Sequence, residues 1–407
     1  MTIRAVPASE SAPPPERGTA LEVLLAFLKL GLTSFGGPVA HLGYFRAEFV
    51  ERRRWLDDRS YSDLVALCQF LPGPASSQVG IALGLRRAGW AGSLAAWAGF
   101  TLPSAVALIL FAYGVGHASG LAASGVVRGL KVVAVAVVAQ ALWGMARSLC
   151  PDRPRAGIAV LAALGGLAVP SAAGQIGAIV LGGLLGWWLV RPGDLPPALP
   201  SDCGVGRRTG ALLLGVFAAL LLALPALAGS SGSAVLSAIS VFYQAGALVF
   251  GGGHVVLPLL QAGVVPPGWV GTDTFLAGYG AAQAVPGPLF TFAAYLGAAM
   301  AAPMGGAWGG LIALLAIFVP AYLLVVGALP FWEAIRRSGT AQRAMAGTNA
   351  AVVGVLGAAL YDPVWTSAIH SRADVGLALA AFGLLVHARV SPVWVVAAGA
   401  LAGWAMA

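Results

Sequence analysis

The chain has 407 residues, 59% of them hydrophobic and only 9% charged, against about 25% charged in an ordinary soluble domain. A water-soluble fold would have to hide nearly every helix, so that class is excluded. The net charge of +8 comes without basic–aromatic clusters, which excludes a nucleic-acid surface; it resides in loops between apolar stretches, as the positive-inside rule requires.

Residues 1–18 are polar and Pro-rich and lack an apolar core before a cleavage site, so they read as a disordered cytoplasmic tail rather than a signal peptide. Apolar segments follow at 19–35, 61–85, 89–115, 126–147, 156–169, 172–190, 211–228, 234–250, 272–302, 305–329, 344–361, 375–388 and 392–406. Most approach the roughly 20 residues that a bilayer-crossing helix needs. The 56 glycines and 26 prolines lie mostly within them, which membrane helices tolerate and soluble ones do not. Cys68, Cys150 and Cys203 are scattered, odd in number and without metal-ligand spacing, so unpaired thiols are expected, with no metal and no cofactor.

The two halves repeat. Phe35-Gly36-Gly37-Pro38 with His41 returns as Phe250-Gly251-Gly252-Gly253 with His254, and Trp55 returns as Trp269. Gln69 followed by Leu71-Pro72-Gly73-Pro74 returns as Gln283 followed by Val285-Pro286-Gly287-Pro288; Gly129-Leu130-Lys131 returns as Gly347-Thr348-Asn349, and Gly186-Trp187 as Gly403-Trp404. A nearly constant offset through so many matches requires duplication. The unpaired segment 211–228 puts the second copy on the opposite side, an inverted repeat of the kind that places a transporter's substrate near the midplane. The expected fold is all-α and polytopic, with a first repeat at 19–190, a linker with an inverting helix at 191–233 and a second repeat at 234–407.

Basic residues refine the topology. Full crossings would put Arg46, Arg52, Arg53, Arg54 and Arg59 outside, against the positive-inside rule. If the segments broken by glycine and proline are re-entrant hairpins, every basic residue except Lys29, Arg128, Lys131 and Arg372 falls on the cytoplasmic side.

The breaks are also the candidate site. Glycine permits positive φ, and proline suits the first turn of a new helix. A helix restarted inside an apolar run presents free N–H groups and its positive dipole end, which together bind anions. Four breaks in two related pairs (Gly36, Gly37, Pro38; Pro72, Gly73, Pro74; Gly251, Gly252, Gly253; Pro286, Gly287, Pro288) can aim at one central point. Gln69, Ser76, Ser77, Gln283 and Thr291 either donate to an oxyanion or bond between helices. His41 and His254 either pack or serve anion contact and proton coupling. Lys131, aligned with the neutral Asn349, either holds the anion or snorkels to the interface. No carboxylate lies deep in a span, which disfavours a cation site. By contrast Gly182 and Gly183, in an unbroken span, read as packing glycines expected to tolerate alanine better than the glycines of the breaks.

The Phe-Gly-Gly-Pro-x-x-His stretch at 35–41, Gln69-x-x-Pro72-Gly73-Pro74 and their second-half counterparts resemble the chromate ion transporter family in its long-chain, two-domain form, from Leu21 to Trp404. The resemblance implies export of chromate, with sulfate as the isostructural competitor, across the bacterial cytoplasmic membrane. Strict symmetry fails where Pro38-Val39-Ala40-His41 becomes Gly253-His254, so the histidines need not be equivalent. The expected partners are a chromate- or sulfate-like dianion and the lipid bilayer; a homodimer is left open. No nucleotide-binding Gly-x-x-x-x-Gly-Lys-Ser/Thr motif occurs, and no metal or nucleophile constellation of an intramembrane enzyme has convincing spacing.

Overall fold

A computed structural model describes residues 18–117, 121–169, 171–191, 204–250 and 253–405. The tail, most of the inter-repeat linker, Cys203, Gly251 and Gly252 lie outside the described residues. The first half contains helices α1 (Ala20–Thr33), α2 (Gly37–Phe45), α3 (Asp58–Phe70), α4 (Ala75–His117), α5 (Leu121–Leu149), α6 (Arg153–Ala168) and α7 (Ala172–Leu189). Helix α8 (Arg207–Ser231) follows the linker. The second half contains α9 (Ala234–Ala247), α10 (Val256–Val264), α11 (Thr272–Ala282), α12 (Phe292–Ala299), α13 (Gly306–Ala328), α14 (Trp332–Arg337), α15 (Gly339–Ala359), α16 (Thr366–Ala368), α17 (Arg372–Val386) and α18 (Pro392–Ala405).

Five stretches among the described residues are long and apolar enough to cross a membrane: Ala75–Gly114, Gly125–Leu149, Arg207–Ser231, Gly306–Ile335 and Gly339–Ala368. The chain is thus an all-α polytopic membrane protein. Its outward leucines and tryptophans, among them Leu161, Leu181, Leu222 and Trp188, are the lipid face of such a fold. Helix starts carry their local signals: Thr19, Asp57, Asp152, Ser171, Ser233, Ser338 and Ser371 each accept a backbone N–H from the first turn. Short α10 falls where no apolar segment was expected, because Pro258 and the glycines around it mask its period.

The first half opens with two hairpins. Glu22, at the start of α1, lies 3.9 Å from Arg53, reached only after α2, and 3.2 Å from Arg87, at the end of the first part of α4. Gly18 N–H donates to the Arg87 carbonyl at 3.0 Å. The chain therefore goes out along α1 and returns along α2, then goes out along α3 and returns along α4 as far as the kink at Ala88 and Gly89. Both pairs close at one end. There Glu48 is buried; desolvation pushes its carboxyl up, but hydrogen bonds from Arg53, Lys29 and Arg52 prevail and hold it below the usual carboxylate range.

The second part of α4 and α13 run in opposite directions. At the start of the second part of α4, Ser93 lies 2.7 Å from Tyr322 near the end of α13. At its other end Tyr113 accepts from Ala307 N–H, at the start of α13, at 2.8 Å. The halves also exchange arms: α6 and α7 pack on α15, while α17 and α18 pack on α5. Glycines permit both crossings. Gly129 faces Gly399 and Gly403, and the repeat-equivalent Gly347 faces Gly182 and Gly186.

This corrects one expectation. A Cβ on Gly182 would overlap that of Ala351, and one on Gly183 would meet Thr348 Oγ1 at 2.8 Å. They are packing glycines, but at a crossing too close for alanine.

Candidate functional site

Where the halves meet, their chain breaks interlock. Gly36 and Gly37 have φ of +99° and +77°, and Pro38 occupies the first turn of α2. In the second break Gly73 has φ +118°, and the Gln78 amide donates to the Pro72 carbonyl at 2.8 Å. In the second half Gly287 has φ +102°, Pro288 leads into a single 3-10 turn, and Thr291 Oγ1 donates back to the Pro288 carbonyl at 2.7 Å. Gly73 N–H donates to the Val249 carbonyl at 2.6 Å, and the equivalent Gly287 N–H donates to the Ser34 carbonyl at 3.0 Å. Each Pro-Gly-Pro turn therefore grips the Gly-rich break of the other half.

Free N–H groups were expected at every break. The Gly73 and Gly287 amides are instead committed to carbonyls across the repeats. The N-terminus of α2 is different: its cap is Gly36, which has no side chain to satisfy the first-turn donors.

Beside this N-terminus is a cavity of about 400 Å³. Gly36, Gly37, Pro38, His254, Gln283 and Gly287 line it, joined by Gln140 of α5 and by Arg389 and Ser391 between α17 and α18; among the described residues no carboxylate lines it. His254 Nδ1 lies 2.7 Å from Tyr279 Oη, and Gln283 Nε2 has no partner among the described residues. Gly253 borders the first break, its Cβ direction meeting Pro38 at 3.5 Å.

Other candidates stand apart from the cavity. His41 is buried behind the first break, its ring edge-on to Phe100 at 5.2 Å, with Nδ1 3.4 Å from Ser76 Oγ and Nε2 unpartnered. Ser77 is buried beside it in sequence, its hydroxyl also unpartnered. Gln69 is exposed on α3. Lys131 is 2.6 Å from Asp273, a carboxylate 74% exposed at the start of α11, so its charge is neutralised at the rim of the bundle. Asn349 lies on α15 with an unpartnered Oδ1. Pro72, Pro74 and Pro286 shape the turns without lining the cavity.

Gln140 and Arg389 escaped the sequence reading. Arg389 counted there as one more loop cation, and nothing in residue order told that its loop borders the cavity.

Comparison with known proteins identifies the family. Residues 21–187 and again 236–404 match the chromate transporter family, one match per half. The chain is 29% identical over 374 residues to the chromate transport protein of Pseudomonas aeruginosa, covering 87% of this chain and 83% of the relative. It is 27% identical over 344 residues to the chromate transport protein of Cupriavidus metallidurans, covering 83% and 81%. It is 24% identical over 327 residues to an uncharacterized transporter of Methanocaldococcus jannaschii. No solved structure matches it. With each half matching separately over nearly its whole length, the chain belongs to the chromate transporter family and is a multi-pass transporter, not an enzyme, of the bacterial inner membrane.

Proposed function

We propose that this protein exports chromate, or a tetrahedral oxyanion like it, as a secondary transporter with inverted repeats. The observation that carries the reading is the cavity at the crossing of the halves: an uncapped helix N-terminus, amide side chains and an arginine, with no carboxylate in the lining among the described residues. Such a lining favours an anion and disfavours a cation.

Two features support the inverted arrangement. The second part of α4 and its equivalent α13 are antiparallel, and a second cavity of about 220 Å³, with Asp362 in its lining, includes Val355 and Ala358, the repeat partners of Val137 and Gln140 in the first. Alternate opening of two such cavities is the natural cycle of an inverted repeat. Tyr44 lines the larger one two residues before Arg46, on the arginine-rich face that the positive-inside rule assigns to the cytoplasm.

Energy for export is available. An inside-negative potential contributes about 2.3 kcal/mol per charge per 100 mV, so a dianion leaving the cell gains roughly 4.6 kcal/mol at ~100 mV. Inside-out vesicles holding the purified protein are expected to accumulate chromate when the lumen is made positive, with sulfate competing. No flux of either anion above empty vesicles, under an imposed potential or an imposed pH gradient, overturns the proposal.

The hairpins make a separate prediction. With Cys68, Cys150 and Cys203 replaced by serine, single cysteines at 52–59, 147–155 and 336–343 should escape an impermeant thiol reagent applied to intact cells. Strong labelling near Arg53 would restore full crossings.

A further inference from the structure

The positive-inside rule accounts for the side of the membrane on which Arg389 lies, but not for its backbone conformation or its place in the cavity lining. Helices α17 and α18 have 15 and 14 residues, about 22 Å each, short of the ~30 Å hydrocarbon core. Their far ends sit together at the start of α5: Asp374 pairs with Arg128 at 2.9 Å, and Gly403 packs against Gly125 and Gly129. Residues 387–389 of the turn joining them are exposed, and Arg389 lines the cavity beside the Gly36–Gly37 break.

Two features mark that arginine. Its φ is +53°, one of two positive values at non-glycine positions among the described residues. Ala388 N–H donates to the Gly383 carbonyl and Val390 N–H to the Leu384 carbonyl at 2.9 Å, so the turn is a helix C-cap of the kind usually closed by glycine. Its guanidinium also has no carboxylate partner among the described residues, and none lines the cavity. Its charge is therefore available to an anion that enters the cavity. Its planar fork matches two oxygens of a tetrahedral oxyanion, which a lysine's point charge cannot do.

We infer that Arg389 is the substrate-binding cation of this transporter: it draws the dianion into the cavity and holds two of its oxygens beside the α2 N-terminus. The inference rests on the oxyanion reading above and adds to it the residue that selects for charge.

The test is equilibrium binding of radiolabelled chromate to the full-length purified protein, without a potential. R389G separates charge from backbone, because glycine relaxes the positive φ and so leaves insertion and thermal stability at least as good as wild type. R389G and R389Q are expected to weaken binding about tenfold or more, and R389K by less, as expected for loss of a charge-assisted contact. Arg147→Gln, which removes a cation stacked on Trp143 outside the cavity, should leave binding unchanged. Wild-type binding with undiminished binding by R389G overturns the role of Arg389 alone. Failure of the wild-type protein to bind chromate or sulfate overturns the oxyanion reading and this inference with it.

Discussion

Gly73→Ala and Gly287→Ala are expected to reduce anion flux per inserted protein to near background. Both glycines have φ well beyond the left-handed helical well, at +118° and +102°, and a side chain held there costs on the order of 1–3 kcal/mol. Space is short as well. A Cβ on Gly73 would lie 2.9 Å from Gln78 Nε2 and 3.2 Å from Ala321 Cβ. On Gly287 it would lie 2.9 Å from Ser104 Oγ and 3.1 Å from the Phe100 carbonyl. Backbone yields less readily than the end of a glutamine, so Gly287→Ala should be the more severe. Either change turns the amide away from its carbonyl in the other half and spreads the breaks that frame the cavity. Gly177, with open space at its Cβ position, supplies the control in an intact helix. Damage confined to Gly73, with Gly287→Ala transporting normally, would mean that the halves do not share one site.

A comparable loss, of assembly rather than flux, is expected from Gly347→Ala and Gly129→Ala. Added Cβ atoms would overlap the Gly182 carbonyl in the first case and the Gly399 carbonyl in the second. Apolar side chains gain little by leaving lipid for a helix interface, so these crossings depend on close backbone approach through small residues. Overpacking costs about 1–3 kcal/mol where neighbours can shift, and here the neighbours are main chain. The measurement is thermal unfolding of detergent-solubilised protein together with the yield of monodisperse material. Gly357→Ala, on the same helix as Gly347 and in ordinary contact with Leu142 at 3.8 Å, should behave as wild type. Unchanged melting in both crossing variants would show that the arms are not exchanged between the halves.

Membrane class, duplication and the places where helices stop were readable from residue order, because each has a local cause. An apolar run must meet lipid, glycine and proline end helices wherever they fall, and matching motifs at one offset need no contact to be seen. The breaks at Gly36–Gly37, Gly73 and Gly287 are where the motifs put them, with positive φ. What those breaks do with their N–H groups depended on a partner more than 170 residues away, so the commitment of Gly73 to Val249 and of Gly287 to Ser34 could not be read in advance. The same holds for Lys131, whose charge is neutralised by Asp273, and for the histidines: His254 lines the cavity while His41 lies behind it. Arg389 shows the division most sharply. Its charge is a property of the residue, but its place in the cavity lining, beside the Gly36–Gly37 break and apart from any carboxylate among the described residues, comes from how the α17–α18 turn packs against the first half. Residue chemistry is local, whereas burial and pairing are properties of the assembled bundle.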